Sequence, residues 1–347
     1  MSVLVHASPL HLEQGAATSG RAGAGTARAG AASVFYNPAA MTLSEGTLLE
    51  VGGALVTPVR LRGVRERSAP TLVTPPSVFA LSTRGRLSVG VAVFSPLIHA
   101  VHWSDRDVHS DVKLMVVNPS LALRLGELSV GAGINVAGGW QEESSWGLQG
   151  PAAGAGFNAG VLAQLPGRLV VGVHYRSAMP VLVFSDPGTA ASTAQCIRDP
   201  ACRAYQPLGL LSTPHVVSVG MDGLPHRTLR VGVDVNASLW ADARVRGPGL
   251  GVRGGVEHVL GFVAPDVKVR AGLLYDASPV RSGERNAERP WSDRVGASVG
   301  VGWQLFGVTM DAAYVADLEL PAGGVDGETY SGTTHLLALS VGYRHLR

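Results

Sequence analysis

The sequence predicts an all-β fold, a 14-stranded antiparallel transmembrane β-barrel with an N-terminal hatch plugging the lumen. Three observations carry this prediction. Only 16% of the 347 residues are charged and 46% are hydrophobic, which is less charge than a soluble surface needs. Side chains alternate with period 2 along most of the chain. The sequence has no run of about 18 apolar residues, so a membrane-spanning segment has to be a strand of a closed barrel.

The hatch is predicted from the stretch Gly20–Met41, GRAGAGTARAGAASVFYNPAAM, which consists mainly of glycine and alanine. Such a segment cannot build its own core, but its backbone can lie close against another surface. The sequence Asn37-Pro38-Ala39 marks the turn out of it, because proline fixes its own φ and holds the preceding residue extended. We therefore expect a hatch over residues 1–42 and a barrel over residues 43–347.

The first residues contain neither a basic region nor a full apolar region, so they do not form an intact signal peptide. Residues 1–7, with VLVHA at Val3–Ala7, are similar to the last part of one. Two explanations stay open: the true start lies upstream, or the signal was removed from this sequence.

The strands are predicted from alternation in which one face is bulky and apolar and the other is small or polar. In the fifth strand, Leu128, Val130 and Ile134 oppose Ser129 and Gly131. The predicted strands are 47–62, 75–82, 86–97, 112–125, 128–140, 151–164, 168–184, 211–221, 228–241, 250–260, 265–277, 293–303, 306–318 and 333–346.

Short turns of about two to six residues alternate with loops of about eight to 26, as periplasmic turns and extracellular loops do. Five tryptophans fall near the long-loop ends and suggest an aromatic girdle, although packing within the loops explains each of them equally well. They are Trp103, Trp140, Trp146, Trp240 and Trp291.

Cys196 and Cys202 are separated by five residues in a polar segment, a spacing that allows a disulfide in an oxidising compartment. A metal pair lacking its other ligands and two free thiols are the alternatives.

Other functional classes receive little support. The net charge is +2 and the 28 basic residues are scattered, which argues against nucleic acid as a partner. The 11 histidines form no cluster, so we expect no metal site and no cofactor. Gly296–Gly300 matches the G-x-S-x-G pattern of hydrolases, but it lies within a strand that no helix follows. We therefore expect no enzymatic activity.

Four stretches resemble one protein family, in the same order along the chain. They are SVFYNPAAM at residues 33–41, VGVHYRS at 171–177, TPHVVSVGMDGLPHRTLRVGVDVNASLW at 213–240 and RAGLLYDASPV at 270–280. Together they resemble the FadL/TodX-type outer-membrane transporters of long-chain fatty acids and other hydrophobic compounds. The resemblance covers nearly everything from Gly20 onward.

The resemblance implies passive uptake across the bacterial outer membrane, through a lumenal pocket gated by the hatch, with lateral release near a kink in the third strand. The hatch motif of the family maps onto Asn37, Pro38 and Ala39. Phe94 and Pro96 are the lateral-gate candidates, because proline cannot donate to a strand ladder; alternatively, Pro96 only ends the strand. The implied partners are a hydrophobic substrate, outer-membrane lipids and lipopolysaccharide, and the barrel-assembly machinery, with the protein a monomer.

Alternation places six basic side chains in the lumen, where they can bind a carboxylate ligand or pair with acids such as Glu50, Asp234 and Asp311 in a network that holds the hatch. The six are Arg124, His174, Arg176, Arg230, Lys268 and Arg270.

The competing hypothesis is a structural or general-diffusion barrel with a static plug. The hatch speaks against it, since a porin has no need of about 40 mostly small residues before its first strand, and an open porin prefers a more charged lumen.

Overall fold

A computed structural model describes residues 3–5, 13–63, 66–68, 72–96, 99–103, 108–143, 148–184, 207–240, 247–261, 267–287 and 289–345. The predicted disulfide between Cys196 and Cys202 lies outside these residues, as does Trp146.

The described chain is dominated by the long strands of one sheet, three of which are interrupted. The strands are β1 Gly46–Arg62, β2 Pro76–Arg84, β3 Leu87–Phe94 continued by His99–Trp103, β4 Val108–Leu125, β5 Leu128–Glu143, β6 Leu148–Leu165, β7 Leu169–Arg176 continued by Pro180–Phe184, β8 Pro207–Ser212 continued by His215–His226, β9 Leu229–Leu239, β10 Gly249–Val259, β11 Val267–Asp276, β12 Arg294–Leu305, β13 Val308–Gly323 and β14 Thr329–His345.

Each strand pairs antiparallel with its neighbours in the chain, and β14 pairs with β1 from Tyr330 opposite Arg62 to His345 opposite Thr47. This last ladder closes the sheet, so the predicted 14-stranded antiparallel barrel is confirmed. Two short strands add to its edges: Val3–Val5 lies parallel to Gly209–Leu211, and Glu66–Arg67 pairs with β1. None of the helices in the described ranges is long and apolar enough to cross a bilayer.

The outer surface carries the bulky apolar face of each strand, as the alternation predicts. Leu49, Val130, Leu273 and Val299 are between 40% and 68% exposed, and such side chains recur around the barrel. The adjacent residues point inward and are buried, as Ser88 and Ser129 show. An apolar exterior of this kind matches a lipid environment.

The third strand is not continuous over residues 86–97 as predicted. Phe94 pairs with Val116, and His99 pairs with Val112. Between these two pairs β3 advances by five residues and β4 by four, so β3 contains one extra residue. Pro96 lies within this interruption and cannot donate a ladder hydrogen bond. The extra residue reverses which face points inward, and Trp103 is buried inside the barrel.

The seventh strand contains a second interruption, which the prediction of one strand over 168–184 missed. Arg176 pairs with Asn158 and Val181 with Gly154, again five steps against four. Simple alternation from Leu169 places Val181 on the lipid face, whereas it is fully buried in the lumen. The eighth strand is interrupted at the same level, by residues 213 and 214.

The predicted aromatic girdle is wrong for most of its members. Trp103, Trp240 and Trp291 are at most 8% exposed, so packing among the loops explains them better. Trp140 is 37% exposed on the outer surface, and Trp303 joins it there at 45%.

Residues 13–44, called here the N-terminal segment, lie inside the barrel and are almost entirely buried. They form the short helices Ala16–Ser19 and Ser33–Tyr36 and the 3₁₀ helix Pro38–Leu43. Asn37 caps this 3₁₀ helix by accepting a 3.0 Å hydrogen bond from Ala39 N, and Pro38 occupies its first position.

Candidate functional site

Two cavities within the barrel form the candidate site, and the N-terminal segment lines the larger of them. Strands β8 to β13 supply one side of the lumen and strands β2 to β7 the other. The two sides differ sharply in chemistry.

The β8–β13 side holds the N-terminal segment through buried ion pairs. Arg21 Nη2 lies 2.6 Å from Asp222 Oδ2, and both side chains are at most 4% exposed. Arg28 Nη2 lies 2.7 Å from Glu257 Oε2. Asp234 Oδ2 accepts hydrogen bonds from Thr26 N and from the Thr26 hydroxyl at 2.8 and 2.7 Å.

A third ion cluster lies where the segment begins. Arg294 contacts Asp276 and Asp317 at 2.7 and 2.8 Å, and Arg253 contacts Asp276 at 3.1 Å. Glu13 lies 3.6 Å from Arg253. Burial raises the pKa of Glu13, and this effect exceeds the opposite influence of the two arginines.

The barrel wall approaches the segment closely only because it carries glycines on its inner face. A Cβ atom at Gly131 of β5 would lie 2.6 Å from Ala39 N, and one at Gly272 of β11 would lie 2.5 Å from the carbonyl carbon of Arg21. Neither contact is sterically possible, since real Cβ atoms essentially never come within 3.0 Å. The glycines on the inner face therefore provide the space in which the segment packs.

The β2–β7 side of the lumen holds a cluster of bulky apolar side chains beside small and polar ones such as Ser88, Asn118 and Ser129, so the small and polar interior that alternation predicts is found only in part. The wall residues of this cluster pack against Ala31, Val34, Phe35 and Met41 of the segment. They are Phe79, Leu81, Ala92, Phe94, Val112, Leu114, Val116, Ala122, Ala137, Ala152, Met179, Val181 and Val183. The lumen is thus divided into an ion-paired side and a side that holds this apolar cluster.

The larger cavity lies between these two sides. It encloses about 950 Å³ of empty space, including the part open to solvent, near the upper end of the range for ligand cavities. Phe35 and Tyr36 of the segment line it together with His174, Asp234 and Trp291. His174 is 3% exposed, and its Nε2 atom has no hydrogen-bond partner among the described residues.

The smaller cavity lies beside the interruption in β3. It encloses about 420 Å³ of empty space, including the part open to solvent. Its lining is mainly apolar and combines all three interrupted strands: Phe94, Pro96, Val116, Asn135, Arg176, Ser177, Met179, Thr213, Pro214 and Val216.

Arg176 separates the two cavities, since it lines both. Its guanidinium carbon lies 4.2 Å from the centre of the Phe35 ring and 5.6 Å from that of Phe94, and Nη2 donates to Phe35 O at 2.7 Å. The rings of Phe35 and Phe94 meet edge to face at 4.7 Å. One arginine thus joins the segment to the wall at the predicted gate.

The wall is interrupted at this point. Pairing between β2 and β3 ends at Val78 opposite Val93, and in the described part of the chain the continuation His99–Trp103 pairs with β4 alone. Ser95 donates to Leu114 O at 2.8 Å, and Gln14 Nε2 of the segment donates to Ser95 O at 2.9 Å. The segment therefore caps the interruption from inside.

The other predicted basic residues lie elsewhere. Arg230 pairs with Asp222 at 3.0 Å, and Arg270 bridges Glu257 and Asp311 at 2.6 and 2.7 Å. Lys268 and Arg124 are half-buried, and Arg124 lies near the short-turn end of β4.

Sequence reasoning missed Arg21, Arg28, Arg253 and Arg294, which carry most of the ion pairs to the segment. Arg21 and Arg28 were detectable as the two cations in an otherwise glycine- and alanine-rich stretch. Ser298 of the G-x-S-x-G match accepts a 2.9 Å hydrogen bond from Ala22 N, which is a structural role. No group of three or more metal-ligating side chains occurs among the described residues.

Residues 280–287 and 289–291 form part of the loop between β11 and β12. Trp291 packs in one cluster with Trp103 of β3 and Tyr330 of β14, and Trp103 Nε1 donates to Ala287 O at 2.8 Å. Arg285 fixes this loop by donating from Nε to Trp291 O at 3.0 Å. The aromatic ring of Trp291 therefore covers part of the larger cavity.

The fold is that of known outer-membrane channels. A Pseudomonas aeruginosa FadL homologue superposes with a TM-score of 0.76 at 16% identity, over 99% of this chain and 100% of that one. The Pseudomonas putida toluene transporter TodX gives 0.70 at 13% identity over 96% and 99%, and the CymD monoaromatic hydrocarbon channel 0.68 at 15% over 96% and 98%. The predicted resemblance is thus confirmed for the fold. No protein-family model and no curated protein matches the sequence.

Proposed function

We propose that this chain is a passive channel of the bacterial outer membrane that takes up long-chain fatty acids or similar hydrophobic molecules. It works without catalysis. The observation that carries the proposal is the mainly apolar cavity at the β3 interruption, which Arg176 separates from the larger cavity while Phe35 of the N-terminal segment packs against both Arg176 and Phe94. A water-filled diffusion pore does not need an apolar cavity of this kind.

The proposed path runs from the larger cavity, past Arg176, into the smaller cavity and out through the wall beside Pro96. The N-terminal segment acts as the hatch, and movement of Phe35 away from Phe94 joins the two cavities. Lateral exit keeps apolar groups out of water, where each CH₂ group costs about 0.8 kcal/mol. The solved channels of the same fold, whose names specify toluene or monoaromatic hydrocarbons, support a hydrophobic cargo.

The hatch moves only in part under this proposal. Arg21 and Arg28 are tied to Asp222 and Glu257 by buried ion pairs, which fix the middle of the segment to the far wall. The contacts on the β2–β7 side are mainly apolar and yield more easily.

The same ion pairs also favour the alternative, a general-diffusion or structural barrel with a static plug. The two functions differ in what crosses the membrane. A hydrophobe channel takes up oleate and toluene and excludes small sugars, whereas a diffusion barrel passes the sugars and gives the hydrophobes no advantage.

The test places one bulky substitution on opposite faces of β4. Val116 is 1% exposed and lines the smaller cavity, whereas its neighbour Val117 is 45% exposed on the lipid side. Val116→Phe should abolish most uptake of oleate and toluene by cells that make the protein, and Val117→Phe should leave it unchanged. Equal uptake by both variants rules out the proposed path, and sugar permeation without hydrophobe uptake rules out the proposed cargo.

A further inference from the structure

The smaller cavity contains a polar group that the protein leaves unsatisfied. Asn135 of β5 is 3% exposed and lines this cavity, and its Oδ1 atom has no hydrogen-bond partner among the described residues. A buried amide oxygen without a partner is costly, and most buried polar groups have one. A ligand in the cavity is the partner that the geometry allows.

The neighbouring hydroxyl groups are engaged with the protein, whereas Arg176, which also lines this cavity, has an Nε atom with no hydrogen-bond partner among the described residues. Ser177 Oγ accepts from Phe157 N at 2.8 Å, and Thr213 Oγ1 accepts from Met179 N at 2.9 Å. Arg176 donates from Nη2 to Phe35 O, as described above. Asn135 therefore supplies the free acceptor of this cavity in the described part of the chain.

The space around Asn135 suits a compact molecule. The smaller cavity encloses less than half the space of the larger one, about 420 Å³ against about 950 Å³, both including the parts open to solvent. Phe94, Pro96, Val116 and Met179 give it apolar walls. Gly156 leaves room for the interrupted part of β7, because a Cβ atom at Gly156 would lie 2.8 Å from Ser177 Oγ.

We propose that the smaller cavity is a binding site for a hydrophobic molecule of about one ring that carries a single hydroxyl group, with Asn135 Oδ1 accepting its hydrogen bond. This inference rests on the proposed function and narrows its cargo, since the site lies on the proposed exit path. The ring contacts Phe94, Val116 and Met179. A hydrocarbon of the same shape leaves Asn135 unsatisfied and binds less well than its size predicts.

The test compares p-cresol with p-xylene, which differ by a hydroxyl in place of a methyl group. Dissociation constants for both are measured by calorimetry on the full detergent-folded chain, with oleate as a third ligand. The variants are Asn135→Leu and the smaller Asn135→Ala. The control is Val136→Ala, since Val136 adjoins Asn135 on β5 but is 53% exposed on the lipid side and lines neither cavity.

Loss of one buried hydrogen bond corresponds to about a tenfold change in affinity. The ratio of the p-xylene constant to the p-cresol constant should therefore fall about tenfold in both Asn135 variants and stay unchanged in Val136→Ala. An unchanged ratio in a folded Asn135 variant overturns the inference while leaving uptake of hydrophobes intact. Failure of the wild-type protein to bind p-xylene, p-cresol and oleate overturns both the inference and the proposed function.

A crystal of the wild-type protein with 4-bromophenol gives a readout that does not depend on any variant folding. The anomalous signal of bromine should lie in the smaller cavity, with the phenol oxygen within hydrogen-bond distance of Asn135 Oδ1. Bromine found only elsewhere refutes the site.

Discussion

Substitution of Gly131 by alanine should loosen the N-terminal segment without disturbing the barrel. The added Cβ would lie 2.6 Å from Ala39 N and 2.7 Å from Pro38 C, both backbone atoms that cannot rotate away. An ordinary contact needs at least 3.4 Å, so the turn after Asn37 has to retreat by about 0.8 Å, the difference between 3.4 and 2.6 Å. Gly138, on the same strand, has nothing within 4 Å of its added Cβ and is the matched control.

The retreat weakens the hydrogen bonds that hold this turn. Asn37 Nδ2 donates to Thr26 O at 3.0 Å, and the Thr42 hydroxyl donates to Ser129 Oγ at 2.7 Å. Overpacking of this kind costs about 2 kcal/mol. Because 1.4 kcal/mol is a factor of ten, the ratio of seated to displaced segment should fall about 30-fold.

The assay is ion conductance in planar bilayers, since a displaced segment opens an aqueous route through the lumen. Gly131→Ala should raise the open fraction about 30-fold over Gly138→Ala, provided that heat-dependent electrophoretic mobility shows both barrels folded. Equal conductance of the two folded variants would refute the reasoning, because it would mean that the contact of Pro38 and Ala39 with the wall does not hold the segment.

Three further predictions concern the charges and thiols. Arg21→Met leaves the buried Asp222 with Arg230, at 3.0 Å, as its ion-pair partner in the described part of the chain, and should destabilise the seated segment by about 3 kcal/mol, measured as protease sensitivity in urea. Arg21→Met combined with Asp222→Leu should recover part of this loss, and no difference between the single and the double variant would contradict the reasoning. Burial raises the pKa of Glu13 in the seated segment above its ordinary value of about 4.3, so Glu13 binds its proton more tightly there than in the displaced segment. Its contribution to the stability of the seated segment is therefore greatest below the ordinary pKa. This contribution is lost as the pH rises through the raised value. Glu13→Gln should flatten this part of the pH profile of protease sensitivity even though Arg253, Arg294, Asp276 and Asp317 remain, and an unaltered profile would contradict it. Cys196 and Cys202 should resist alkylation until a reductant is added, whereas ready alkylation would favour free thiols.

Strand number and closure could be predicted from the sequence because each strand has its own period-2 pattern, which needs no information from the rest of the chain. The direction in which side chains point beyond an interruption could not be predicted in this way. Val181 and Trp103 point inward because one extra residue precedes each of them, and only pairing with the neighbouring strand reveals that extra residue. Pro96 gave a local signal for β3, and Pro180, directly before Val181, gave a similar one for β7 that alternation alone does not use.

The candidate site was predictable in part for a similar reason. Alternation brought Arg176 into the lumen, and the structure places it against Phe35 and Phe94, two residues that the sequence associated separately with the hatch and the gate. The free amide of Asn135 was beyond prediction, since an asparagine on the inner face is ordinary until its neighbours are known to be bonded elsewhere.

The division of the lumen bears on how the proposed channel can change during evolution. The ion pairs of Arg21 and Arg28 lie on one side, and the walls of the smaller cavity lie on the other. Substitutions that reshape the cavity, at Val116 or Met179 for example, leave the charged anchorage untouched. Stability effects at separated sites are nearly additive. A lineage can therefore exchange one cargo for another through a few changes of apolar volume while the segment stays fastened.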